Sequence, residues 1–241
     1  KHFNDYQQFM SQSAELLFTP QNMSDSGFVI SEITSFTDSY TASASNTAFY
    51  IMFDNKFTKN LRLVWGIRDE TYNQKLNSFY SNGDKLSINH TNNDFLPSAN
   101  LTYSVTSKAN IRLSASKTVS RPEFRELAPF AFYDFTNAVT VMGNDSLLKT
   151  DVMNADLRLE KFFGSGQLIT GSLFYKKFKN PIEKAVDLTT SGAGSTSNTF
   201  YNIPLATNYG AEFELRKNFD FLYQKNKRCT YLTYFEKVLK Y

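Results

Sequence analysis

The chain has 241 residues, 41% of them hydrophobic and 20% charged, with only 10 glycines and 6 prolines, which excludes disordered, collagen-like and low-complexity classes. The net charge is +3, but residues 216–241 hold seven basic and two acidic side chains, so the body is slightly acidic and offers no basic face for nucleic acid. The longest apolar run, Ala48 to Phe53, is far short of the ~20 residues that a spanning helix needs.

Taken in order, the segments read as strands. Residues 47–57 are rich in Phe, Tyr, Ile and Met on both faces, so their orientation stays open. Residues 61–68 alternate, with Leu61, Leu63, Trp65 and Ile67 opposite Arg62, Val64, Gly66 and Arg68. The same period of two recurs at 95–105 (Leu101, Tyr103) and at 110–119 (Ile111, Leu113 against Arg112, Ser114). It returns at 153–160 (Leu157, Leu159 against Arg158, Glu160) and at 209–216 (Phe213, Leu215 against Glu212, Glu214). Residues 167–178 are strand-like with Leu173 among their apolar positions, but both faces are partly apolar and their orientation too stays open. Successive strand side chains point to opposite faces, so alternation over eight or more residues signals a sheet with one apolar face.

A soluble sandwich would satisfy that pattern, with the apolar face inward. Connection lengths favour a different answer. Phe57-Thr58-Lys59-Asn60, Thr106-Ser107-Lys108-Ala109 and Phe163-Gly164-Ser165-Gly166 are tight turns, whereas the links around 77–93, 120–149 and 180–206 are long. Short turns alternating with long loops mark an outer-membrane barrel, whose strands need ~9–11 residues to cross the apolar band. Aromatic residues gather near strand ends (Phe57, Phe95, Tyr103, Phe162, Phe163, Tyr175, Phe178, Phe219, Phe221), where interfacial girdles sit. In that arrangement Leu63, Trp65, Leu101, Tyr103, Leu113, Leu157, Leu173, Phe213 and Leu215 face lipid. Arg62, Arg68, Arg112, Arg158, Glu160, Glu212 and Glu214 face the lumen, because a mid-bilayer Arg on the lipid side costs ~2–4 kcal/mol.

Four segments resemble the barrel domain of TonB-dependent outer-membrane receptors. They are SKTVSRPEFRELAPF (116–130), GNDSLLKTDVMNADLRLEKFF (143–163), LFYKKFKNPIE (173–183) and NYGAEFELRKNFDFL (208–222), with FDNKFTKNLRLVWGIRDE (53–70) resembling a family hairpin. The resemblance covers about residues 47–222. It implies an all-β fold: an antiparallel transmembrane barrel segment of about 7–8 strands out of 22, in the outer membrane of a Gram-negative bacterium. It implies also a plug domain, a TonB complex that transmits energy, outer-membrane lipid around the wall, and a small solute bound by long loops. Siderophores, haem, cobalamin, saccharides and peptides are the solute classes it brings. No plug, TonB-contacting segment or signal peptide is read here, so the chain is taken as an internal piece of a barrel. Residues 1–222 are assigned to the partial barrel and 223–241 to a divergent, truncated or out-of-frame tail, since alternation stops after Leu222. A soluble all-β binding module, such as an adhesin or carbohydrate-binding domain, and a passive porin remain as alternatives.

Binding residues are expected on the 120–144 link. It mixes Arg121, Glu123, Arg125 and Glu126 with Phe130, Phe132 and Tyr133, residue types that concentrate binding energy through rigid contact area and charge-assisted hydrogen bonds. Glu123 and Glu126 are read as charge-paired with the neighbouring arginines at the barrel mouth rather than as the carboxylate pair of a glycosidase. Pro122 disfavours helix at Arg121. No nucleophile elbow or phosphate loop is present, and Cys229, His2 and His90 make no zinc set, so neither catalysis nor a cofactor is expected.

Overall fold

The computed structural model describes residues 11, 13–22, 29, 31, 34–164, 166–187, 197–218 and 230–240, with residues 14, 21, 218 and 230–240 described by backbone alone. Two compact units are present, Lys1–Ser35 and Phe36–Tyr241. In the first, a short helix, α1 (Ala14–Leu17), is followed by a 3-10 turn at Pro20–Asn22. The Asn22 side-chain amide donates to the Leu16 and Leu17 carbonyls at 3.0 and 3.1 Å, satisfying acceptors that the helix end leaves open.

The second unit holds the strands. They are β1 (Thr41–Lys56), β2 (Leu61–Phe79), β3 (Lys85–Thr106), β4 (Ala109–Ser120), β5 (Ala131–Asp134) and β6 (Val139–Met142). Then come β7 (Thr150–Gly164), β8 (Gln167–Lys179), β9 (Ile182–Val186), β10 (Ser197–Asn202), β11 (Leu205–Asn218) and β12 (Thr230–Lys240). A short helix, α2 (Phe124–Leu127), precedes β5. Eight strands form one antiparallel sheet in the order β1-β2-β3-β4-β7-β8-β11-β12, and a second sheet is ordered β5-β6-β10-β9. Among the described residues no helix is long and apolar enough to cross a membrane. Phe219, Phe221 and Cys229 lie outside the described residues.

Register brings the predicted apolar residues onto one face. Leu63, Leu101, Leu113, Leu157 and Leu173 are direct cross-strand partners in a row that spans β2, β3, β4, β7 and β8. Tyr103, Ile111, Leu159, Gly171 and Phe213 form the adjacent row. Leu63 and Leu101 are half-buried and the other large side chains of the two rows are exposed, Leu113 to 50% and Leu173 to 57%, on a face that a water-soluble sheet would have to cover. The opposite face carries the predicted lumenal charges, most of them in ion pairs. Arg112 and Arg158 both reach Glu160 at 3.0 Å, Arg216 reaches Glu214 at 3.1 Å, and Arg62 reaches Asp54 at 2.6 Å.

The tight turns fall where expected, the second being only Ser107-Lys108, since Thr106 and Ala109 already pair. Gly164 and Gly166 have φ of 89° and 77°, a left-handed pair that closes β7 onto β8 and that side-chain-bearing residues resist.

One expected long link is corrected. Residues 77–93 are mostly strand: β2 and β3 continue as a hairpin to Phe79 and Lys85, closed by Tyr80–Asp84, with Gly83 at φ 87°. The reason is an inversion of polarity along the strands. Above Asp69 the outward positions turn polar and pair across the strands, as Thr71 with Asn93 at 3.1 Å, Thr91 with Asn73 at 2.9 Å and Ser87 with Asn77 at 2.9 Å. The inward positions turn apolar, and Leu76, Leu86 and Ile88 are buried. That is the pattern of a hairpin standing in water beyond the bilayer, with its dry side against protein.

Against this dry side lies the unit's hydrophobic core. Leu76, Leu86 and Ile88 pack with Leu127, Ala128 and Leu147, and Phe124, Phe130, Ile182 and Phe200 close around them. The described residues of the two remaining long links therefore form a folded cap rather than loose loops. Its sheet joins them through the parallel pair β6–β10.

Candidate functional site

The cap is anchored where three sequence segments converge. Arg121-Pro122-Glu123-Phe124-Arg125-Glu126-Leu127 leaves the top of β4. Leu127 is fully buried in the core, and the Pro122 carbonyl accepts the Gln74 side-chain amide at 2.9 Å. Gly143-Asn144-Asp145-Ser146-Leu147-Leu148-Lys149 re-enters at β7. A Cβ on Gly143 would collide with the Ala128 carbonyl, so only glycine lets this segment approach the end of α2. The Asn144 N–H donates to the Glu126 carbonyl at 2.6 Å, and its side chain to the Phe200 carbonyl at 2.8 Å. Asn180-Pro181-Ile182 supplies the third piece. Asn180 adopts φ 55°, a left-handed conformation that Asn tolerates, and its carbonyl accepts the Thr150 hydroxyl at 2.9 Å and the Asn202 amide at 2.8 Å. Asn202 also exchanges bonds with the Leu148 backbone, accepting its N–H at 2.7 Å and donating to its carbonyl at 3.0 Å. One side chain thus imitates a strand partner and ties the two long links together.

Beneath the cap lies a charge network that follows from register. Glu70 on β2 and Asp94 on β3 are direct cross-strand partners, and like charges placed opposite destabilise a sheet unless cations intervene. Arg121 intervenes: one guanidinium nitrogen donates to Glu70 and to Asp94, both at 2.7 Å. Arg68 holds the other Glu70 oxygen at 2.6 Å, and Lys149 pairs with the other Asp94 oxygen. Lys149 further reaches Asp151 at 3.4 Å, which Lys117 meets at 3.3 Å. The Arg121 guanidinium lies 4.4 Å from the Tyr72 ring centroid, a cation–π contact. Burial alone would lower the Arg121 pKa, but the hydrogen bonds to Glu70 and Asp94 outweigh it and raise the value. Arg121 and Lys149 flank the first long link at its two ends, and both close on Asp94, whose side chain is fully buried.

The expected site residues divide into two groups. Arg121, Glu123 and Glu126 line a concavity of about 450 Å³ on the lumenal side of the mouth, together with Thr150, Val152, Phe178, Pro181, Ile182, Glu183 and Asn208. A second concavity of about 350 Å³, nearer the short turns, is lined by Arg112, Asp156, Arg158, Lys176 and Glu212. Arg125, Phe130, Phe132 and Tyr133 line neither. Arg125 stacks on Phe132, 3.4 Å from its centroid, and Phe130 stacks on Phe132 at 6.5 Å. Tyr133 is half exposed and meets Phe135 edge-on at 5.0 Å. The expected arginine–glutamate pairing within the link is corrected too. Arg121 pairs with the wall, and Glu126 accepts the Glu123 N–H at 2.8 Å as a cap of α2, which begins directly after Pro122 and Glu123. Glu70, Asp94 and Lys149 were not legible as site residues. Their signal, two carboxylates in register on the inward face, exists only once the hairpin is recognised.

An outward apolar face, an inward charged face, tight turns at one end and a folded cap at the other define an outer-membrane β-barrel wall. The chain belongs to the family described as TonB dependent receptor-like, beta-barrel, which matches residues 3–237. Members of that family are transporters rather than enzymes and reside in the outer membrane of Gram-negative bacteria, and that is where this wall belongs.

Solved structures agree on the fold. The siderophore receptor PirA from Pseudomonas aeruginosa superposes with TM-score 0.54 at 14% identity, over 83% of this chain and 44% of its own. The alcaligin outer-membrane receptor FauA from Bordetella pertussis gives 0.50 at 16% identity, over 83% and 31%. A double mutant of the Serratia marcescens hemophore receptor HasR, in complex with its hemophore HasA and heme, gives 0.55 at 12% identity, over 72% and 32%. The chain thus spans less than half the length of these structures, and at such identities the likeness is one of fold. No curated protein matches the chain.

Proposed function

We propose that this chain is part of an outer-membrane active transporter that binds a scarce solute (a siderophore, haem, cobalamin, saccharide or peptide) and imports it with energy transmitted by a TonB complex through a plug domain. The observation that carries the reading is the cap. Two long links, which could have been plain connectors, are folded around their own core and set a concavity with charged and apolar walls over the lumen. Recognition sites are built this way, with a rigid scaffold and a few placed polar groups. Glu123 and Glu126 supply polar wall, and exposed Tyr133 with half-buried Phe132 supplies aromatic contact, whereas Arg121 and Arg125 brace the cap. The barrel wall disfavours a soluble adhesin or carbohydrate-binding module, because its apolar face is exposed.

The test uses the full-length receptor in a Gram-negative host, with and without a functional TonB complex. Uptake of the solute class that supports growth is expected to vanish without TonB, and Tyr133→Ala is expected to weaken uptake without lowering receptor yield. Uptake that persists unchanged without TonB would establish a passive porin instead.

A further inference from the structure

The outward face carries a trough that solute transport does not use. Register sets Ile111, Leu159, Gly171 and Phe213 in one row, and Ala109, Lys161, Ile169 and Leu215 in the next row toward the short turns. Gly171 and Ala109 are the small members of these rows. A Cβ at Gly171 would meet nothing within 4 Å, so the row is open there. The gap is a groove of about 330 Å³, walled mainly by Val105, Ile111, Leu159, Ile169 and Phe213. Since this face stands in a bilayer, hydrocarbon rather than water fills an apolar groove.

Charge indicates which lipid. Lys161 stands on the turn side of the groove, its ammonium 5.3 Å from the Phe163 ring centroid and so directed toward the turns. The Phe162 N–H donates to the Lys108 carbonyl at 2.8 Å, which brings a second lysine to the same place. Among the described residues neither lysine has a carboxylate partner. A lysine on an apolar face extends its stem along that face and holds its ammonium at headgroup level. Two ammonium groups with no carboxylate partner among the described residues, at the mouth of an acyl-sized groove, match a net anionic headgroup. We propose that this groove is a site for an anionic glycerophospholipid of the periplasmic leaflet, with one acyl chain lying over Gly171 and its phosphate between Lys161 and Lys108.

The experiment uses the full-length receptor, delipidated in detergent and titrated with phosphatidylglycerol or phosphatidylethanolamine of identical chains, with occupancy read by native mass spectrometry. Wild type should fill with phosphatidylglycerol at lower concentration than with phosphatidylethanolamine. The double variant Lys108→Ala/Lys161→Ala should lose that preference, by about five-fold for each lysine. Gly171→Leu, which fills the groove, should lower occupancy by both lipids while the barrel keeps its heat-modifiable migration. Equal binding of the two lipids by wild type, or phosphatidylglycerol binding unchanged in the lysine variant, would overturn the proposal. Should Gly171→Leu fail to fold, the lysine variant decides alone, since its changes sit at a turn and an exposed strand end.

Discussion

Asp94→Asn in the full-length receptor would test whether the charge network holds the cap closed. Asparagine keeps the shape and loses the charge. Arg121 would still hold Glu70 at 2.7 Å and Lys149 would still meet Asp151 at 3.4 Å, so each cation keeps one carboxylate even where it faces the amide nitrogen. The loss therefore falls below the ~3–5 kcal/mol of a broken buried pair. An amide offers only one acceptor oxygen, so one of the two charge-assisted bonds, each worth about 1.5–3 kcal/mol, is lost and the other survives as a cation-to-amide bond, a cost of about 2–3 kcal/mol. At tenfold per ~1.4 kcal/mol, the open cap becomes roughly 30- to 150-fold more populated. Trypsin cleavage at Arg125 or Lys149 reads that population, because proteolysis of a transiently open segment tracks its equilibrium opening when reclosing is fast. Heat-modifiable migration checks that the barrel itself stays intact. Asp69→Asn, on the exposed outward side of β2, is the control and should change nothing. Cleavage of Asp94→Asn within about three-fold of wild type would refute the network's role, since opening would then not pass through Asp94.

Three further outcomes follow from the same geometry. Gly143→Ala should disrupt the cap, because its methyl would clash with the Ala128 carbonyl and lie 2.9 Å from the Arg125 carbonyl oxygen; faster trypsin cleavage with an intact barrel is the expected result. In membranes, Ser114→Cys should react with a water-soluble thiol reagent while Leu113→Cys stays protected, and equal labelling would reverse the assignment of faces. The Tyr80 hydroxyl donates to Asp145, and that hydrogen bond, aided by partial desolvation, holds the phenol pKa above its usual 10.0. A raised folded value means this contribution is complete below pH 10 and is lost as pH rises through the folded pKa. Cleavage at Lys85 should therefore climb in strong alkali for wild type, and should be high at both pH 8 and pH 11 for Tyr80→Phe.

What the sequence reveals depends on how many environments a strand crosses. Within the bilayer the two faces see lipid and lumen along their whole length, so Leu113 against Ser114, or Leu157 against Arg158, alternates without interruption and the strand is plain. β2 and β3 run on into water, where outward Thr71, Asn73 and Asn77 are polar and inward Leu76, Leu86 and Ile88 are dry. The apolar set changes sides between Ile67 and Leu76, and a reading that follows one apolar face sees the strand end there. The site was obscured by the same step. Arg121, Glu123 and Glu126 stood out as charged residues among aromatics, yet the partners of Arg121 lie 51 and 27 residues away. Glu70 and Asp94 stand on either side of the stretch expected as a loop, and their opposition exists only in register. The motif-like segments carry their meaning in the same way. Gly143 is fixed by a carbonyl across the cap, Lys149 by a buried carboxylate on another strand, and Asn180 by two donors from different links. Each of these residues answers a contact made at long range, so the segments resemble their family most where local periodicity says least.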